Sequence, residues 1–202
     1  GTVDLACGSA TNNAQRQEQV SYAPTTFVTA TRFAALKSSN VKALEDLKGK
    51  TVVSTAGTSN LRWLTQANAE QDLGLRIIPA KDHSEAFLTV NSGRAAAFFM
   101  DDILLAGLVA NSRNANDWMI SSKAYTTEPY GIILPKNDAR FKQVVDNAVI
   151  AMMKDGRLEK IYDKWFMQPI PPRNINLNWP MTDALKKVMA NPTDSPDPAT
   201  YQ

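Results

Sequence analysis

TVVSTAGTSNLRWLTQANAEQDLGLRIIPAKDHSEAFLTVNSGRAAAFFMDDILLAGLVANS, residues 51 to 112, switches repeatedly between two periodicities. TVVSTA (51–56), LRIIPA (75–80) and AAAFFM (95–100) are short apolar runs with β-branched or aromatic residues, as buried strands are. Residues 60–71, 84–92 and 101–112 read as helices. Strands alternating with helices of this length imply parallel βαβ units in an α/β domain.

On the N-terminal side, VDLAC (3–7) reads as a short buried strand, GSATNN as a polar turn and NAQRQEQV (13–20) as a helix. FVTATRFAAL (27–36) reads as one long strand. On the C-terminal side, strands are expected at WMISS (118–122) and EPYGIILPK (128–136). A helix from near Asp138 carries Phe141, Val144, Val145, Ala148, Val149 and Met152 at helical spacing, and Gly156 breaks it before RLEKIYDKWF. Pro169, Pro171 and Pro172 stop helix formation until MTDALKKVMA (181–190). The Pro- and Asp-rich tail, 191–202, either wraps the surface or stays loose. There is no internal repeat.

A chain of 202 residues, 44% hydrophobic and 21% charged, has the composition of a globular protein with a sizeable core. The formal charge is +2 and Lys and Arg are scattered, which gives no case for a nucleic-acid partner or an anionic membrane. Asp101 and Asp102 split the longest apolar stretch, so no segment reaches the roughly 20 residues of a membrane helix. The chain also shows no Lys/Arg-led leader, which suits a cytoplasmic protein or a mature or trimmed product. One cysteine, Cys7, and one histidine, His83, offer neither an internal disulfide nor a metal-ligand cluster, and no cofactor is expected.

Four places could carry chemistry. GTSN (57–60) follows a strand and opens a helix, so Thr58 and Ser59 either help hold a small anion at the helix N-terminus or form an ordinary cap. Asp101 ends a buried strand, where open α/β sheets present ligands; it suits an ammonium group, or it caps the next helix. Arg16 lies just after TNN on the first turns of the expected helix, where most arginines are solvated. His83 could be a general base, a ligand contact or a cap. GKT (49–51) ends like a phosphate-binding loop, but Leu44 stands where that motif needs Gly and the tripeptide precedes its strand, so a nucleotide site is rejected.

CGSATNNAQRQEQVSYAPTTFV, DLKGKTVVSTAGTS, AKDHSEAFLTVNSGRAAAFFMDD and DKWFMQPIPPRNIN, in this order and spacing, resemble the glutamate/aspartate-binding proteins of bacterial ABC importers. The likeness runs from Val3 to about Met189. It implies the type II periplasmic solute-binding fold, an α/β architecture of two lobes joined by two crossover strands. It also implies that roughly the first third of a typical member is missing, so that lobe 1 is incomplete at its N-terminus. The expected division is residues 1–28 as a remnant of lobe 1, 29–125 as lobe 2, and 126–202 as the rest of lobe 1 with the tail.

The resemblance assigns roles. Arg16 would grip the α-carboxylate, Thr58 and Ser59 would assist from the helix N-terminus, and Asp101 would take the α-ammonium. Ser9 and Thr11 would bond the amino-acid head group, and His83 would lie near the side-chain carboxylate. Ala10 stands where some relatives carry a hydroxyl, and Cys7 lacks the second cysteine found in some relatives, where this chain has Ile132. Cys7 is expected to be a buried free thiol. The implied function is periplasmic capture of L-glutamate or L-aspartate, without catalysis, and delivery to ABC permease membrane subunits. The alternatives are a non-binding fragment that forms a homodimer or exchanges strands through the incomplete lobe, and a dehydratase-like enzyme on the same scaffold.

Overall fold

The computed structural model describes residues 2–202. In chain order its regular elements are α1 (Ala14–Gln17), β1 (Val20–Tyr22), β2 (Phe27–Thr29), β3 (Thr31–Leu36), β4 (Thr51–Thr55), α2 (Ser59–Glu70), β5 (Arg76–Ala80), α3 (His83–Asn91), β6 (Phe98–Asp101) and α4 (Asp102–Asn111). There follow β7 (Trp118–Ile120), β8 (Glu128–Tyr130), β9 (Ile133–Pro135), α5 (Ala139–Lys154), α6 (Arg157–Tyr162) and α7 (Asp183–Ala190). The chain divides into two compact units, Gly1–Thr29 with Thr126–Gln202, and Ala30–Tyr125.

The second unit, Ala30–Tyr125, is built on a five-stranded sheet of order β5-β4-β6-β3-β7. β4 runs parallel to both β5 and β6, as the βαβ pattern requires. β3 alone departs from that pattern: it is antiparallel to both of its neighbours, β6 and β7, so β7 runs in the same direction as β4, β5 and β6. The cause is local, because β3 leads to β4 through two short 3-10 turns, Lys37–Ser39 and Leu44–Leu47, with no crossover helix between them.

Alternation along these strands feeds two apolar layers. Phe33, Ala35, Val52 and Phe99 face a cluster that takes in Leu64 of α2. Ala34, Val53, Phe98 and Met100 face the other, with Phe87 and Val90 of α3 and Leu105 of α4. Period-two side-chain placement thus covers both faces of the sheet with helices. Gly57, at φ 75°, makes the left-handed turn between β4 and α2 that a side chain would resist.

The first unit has two short antiparallel ribbons, β1 with β9 and β2 with β8. Its core gathers Val28, Leu134, Val145, Val149, Met153, Tyr162, Leu185 and Tyr201. The buried face of α5 is therefore Val145, Val149 and Met153; Val144, expected on that face, is 64% exposed. Gly156 at φ 79° separates α5 from α6. The tail wraps: Tyr201 is buried, its hydroxyl lies 2.9 Å from Thr25 Oγ1, and the Asp194 carbonyl accepts from Asn12 Nδ2 at 2.8 Å.

Two sequence expectations change here. FVTATRFAAL is not one strand but two, divided at Ala30, because its halves serve different cores: Phe27 stacks on Tyr130 in the first unit and Phe33 packs on Phe99 in the second. VDLAC is not a buried strand. It makes one antiparallel bridge, Ala6 to Ile133, and Val3, Leu5 and Cys7 are exposed. Cys7 is accordingly a free, exposed thiol, since a single bridge covers neither face of the segment.

Candidate functional site

In the second unit the carboxyl ends of β4, β5 and β6 are followed by the first turns of α2, α3 and α4. Three helix N-termini, each a concentration of backbone N–H groups and partial positive charge, therefore lie at the edge where a parallel sheet presents ligands. Thr58, Ser59, His83 and Asp101 all fall there.

Thr58 is the N-cap of α2: its Oγ1 accepts from Leu61 N at 3.1 Å and donates to the Thr55 carbonyl at 2.7 Å. Ser59 is the first helical residue and is half-buried. His83 opens α3, capped by Asp82, and its Nδ1 lies 2.7 Å from Thr55 Oγ1. Burial pushes the His83 pKa below the ordinary histidine value, against the opposing pull of Asp82. The imidazole is thereby held toward its neutral form.

The tandem aspartates divide their work. Asp101 is almost fully buried at the end of β6 and forms no side-chain cap on α4; its Oδ1 accepts from Asn60 Nδ2 at 2.7 Å. Asp102 pairs with Arg32, Nε to Oδ2 at 3.1 Å. Arg32 also donates from Nη1 to the carbonyls of Ser121, at 2.8 Å, and Ser122. A carboxylate of the first helical turn is thus compensated from β3, and Asp101 is left at the sheet edge with an amide beside it.

Asn60 is the residue sequence reasoning missed. It is fully buried, its Nδ2 also donates to Thr31 Oγ1 at 2.7 Å, and its Oδ1 has no hydrogen-bond partner. A buried acceptor without a bond is costly. The signal was an amide within the first turn of a helix that Thr58 already caps, where Asn has no capping work to do. Arg32 was also legible as the only cation in the buried run 27–36, which demands a carboxylate.

In the first unit, Thr11 and Arg16 are joined: Arg16 Nη1 donates to the Thr11 carbonyl at 2.9 Å, as does Tyr22 OH at 3.1 Å. Thr11 bridges to Tyr130, so β8 fixes its backbone. Arg16 sits on the single turn of α1, which Asn13 caps, and is half-buried. Burial raises the Tyr22 pKa, and the neighbouring Arg16 charge opposes the shift. Ser9 is exposed, two residues before Thr11. Among the described residues no group of metal-ligating side chains occurs and no helix is long and apolar enough to cross a membrane.

An α/β unit with polar side chains and helix N-termini collected at the carboxyl ends of its strands is the architecture of a small-molecule binding protein. Residues 1–168 match the bacterial extracellular solute-binding proteins, family 3, and the chain belongs to that family. It is 50% identical over 194 residues to the L-glutamate/L-aspartate-binding protein of Pseudomonas aeruginosa. It is 45% identical over the same length to the glutamate/aspartate import solute-binding protein of Salmonella typhimurium. These alignments take in 96% of this chain but 64% of each relative's length. Among solved structures, an ancestral arginine-binding protein bound to arginine aligns with a TM-score of 0.75 at 30% identity, over 82% of this chain and 73% of that one. The fold is the type II periplasmic binding protein fold.

Proposed function

We propose that the protein is a binding component for an acidic L-amino acid, glutamate or aspartate, in an ABC-type importer, acting outside the cytoplasmic membrane and without catalysis. The observation that carries the reading is the pairing on the first turn of α2: the hydroxyls of Thr58 and Ser59 at the helix N-terminus on one side, and the Asn60–Asp101 bond on the other. An amino acid is a zwitterion, and these two elements have the signs it requires. The helix N-terminus suits the α-carboxylate, and the buried Asp101 carboxylate, with Asn60 holding its rotamer, suits the α-ammonium. His83, kept toward neutrality, is assigned as a hydrogen-bond donor to the side-chain carboxylate. In the first unit the reading assigns Arg16 to a carboxylate, with Ser9 and Thr11 beside it in sequence. The names of the relatives above support the choice of an acidic amino acid and of a permease as partner.

Isothermal titration calorimetry of the 202-residue chain with L-glutamate, L-aspartate and L-glutamine tests this. The expected outcome is saturable heat with an acidic amino acid and none with glutamine. Ligand at a hundredfold excess over Kd should then add about 2.7 kcal/mol to unfolding stability. Equal heats for glutamine and glutamate would defeat the assignment.

A further inference from the structure

The second unit has another concavity, at the opposite edge of its sheet from Thr58 and Asp101. Residues that begin the parallel strands line it: Thr51 at the start of β4 with Lys50 before it, Arg76 at the start of β5, and Arg94 ahead of β6. Its volume is about 480 Å³, within the range of small-ligand sites. Ser38 and Ser39 add hydroxyls from the turn after β3.

The charge pattern is one-sided. Three cations line the cavity, and no carboxylate and no aromatic ring does. Both guanidinium groups rest on neutral hydroxyls: Arg76 Nε on Thr51 Oγ1 at 3.1 Å, and Arg94 on Ser92 Oγ at 3.2 Å and Thr89 Oγ1 at 3.4 Å. Asp46 is not part of the lining; it accepts from the backbone N–H groups of Lys42 and Ala43, and these bonds, with the Lys42 and Lys50 charges adding to them, hold its carboxyl below the usual value. Like charges gathered in a concavity repel one another unless an anion joins them.

We propose that this cavity binds a small phosphate-bearing anion of the pyrophosphate class. Two planar guanidinium forks and an ammonium match the several oxygens and multiple charge of such an ion better than they match a single carboxylate. The lining offers no ring on which a base could stack, and no acidic acceptor for the hydroxyls of a sugar. A simple polyphosphate therefore fits where a nucleotide does not.

The test is calorimetric titration of the chain with sodium pyrophosphate at low ionic strength, repeated with R76Q, R94Q and the double variant, each checked for an unchanged circular dichroism spectrum. One saturable site is expected, with affinity falling about tenfold for each arginine removed, the usual effect of losing a hydrogen bond to a charged group. Asp101→Ala should leave this binding unchanged, so that failure here is distinct from failure of the amino-acid reading. Absence of saturable heat up to millimolar pyrophosphate would overturn the proposal, as would equal affinity in the double variant. Binding to phosphatidate vesicles without binding to soluble pyrophosphate would overturn it too.

Discussion

The two units bury their apolar residues by different means. The second unit closes a five-stranded sheet between helices on both faces, and Phe33, Phe98, Phe99 and Leu64 are fully out of contact with water. The first unit has only two-stranded ribbons, packs them on α5 to α7 and the tail, and leaves Val3 69% exposed. A sheet with both faces covered holds its inner strands, here β4, β6 and β3, through neighbours on two sides as well as through side chains above and below. A two-stranded ribbon lacks that redundancy and depends on what packs against it. Both units bury polar side chains, Asn12 and Glu128 in the first and the Asn60–Asp101 pair in the second.

That contrast can be attacked directly. The largest expected effect is on binding: Asp101→Ala should remove detectable heat with glutamate or aspartate, whereas a variant that binds normally would show that the α-ammonium lies elsewhere. Next come core truncations matched in chemistry, Leu64→Ala in the second unit and Leu185→Ala in the first. Each should cost about 2–5 kcal/mol in urea unfolding, with Leu64 the larger because a five-stranded sheet has less freedom to close on the space left than two-stranded ribbons have. The reverse order would mean that the first unit is the better packed.

Thr58→Ala should cost about 1 kcal/mol through loss of the α2 cap, and Thr58→Ser should restore it. The smallest effect belongs to His83. Its folded-state pKa is lowered by burial, so the unfolded chain binds the proton more readily. Stability from this group is full above the unfolded pKa of about 6.5 and declines as pH falls from there through the folded value. His83→Gln should flatten that part of the pH profile in urea melts, and an identical slope in both proteins would assign it to other groups.

Much of the second unit was legible because its segments are locally self-consistent. TVVSTA, LRIIPA and AAAFFM have one period each, and the cap Thr58 stands where the helix signal put it, whereas α3 starts one residue earlier than read, with Asp82 and not His83 as its cap. The reading failed where a residue's partner is distant in sequence. Nothing near Phe27 announces that Tyr130 and Tyr162 claim it and so divide the strand at Ala30. VDLAC has the composition of a core strand, but burial depends on which neighbours arrive, and here only Ile133 does. In the candidate site, residue types were readable and their wiring was not: Asp101 was legible as an ammonium contact or a cap, but nothing near it showed that Asn60, 41 positions away, holds its carboxylate.

The division at Ala30 has a consequence for how the chain can be rearranged. Tyr125 N donates to the Thr31 carbonyl at 2.9 Å, so the two ends of the second unit are adjacent. On the other side of the junction Thr29 and Glu128 are register partners across β2 and β8. The second unit is therefore a portable cassette: it leaves and re-enters the chain at one doorway, and a short turn from Thr29 to Glu128 would seal the host behind it. Expressed alone, residues 30–125 should give a dispersed amide NMR spectrum, and a collapsed one would show that the cassette cannot travel without its host.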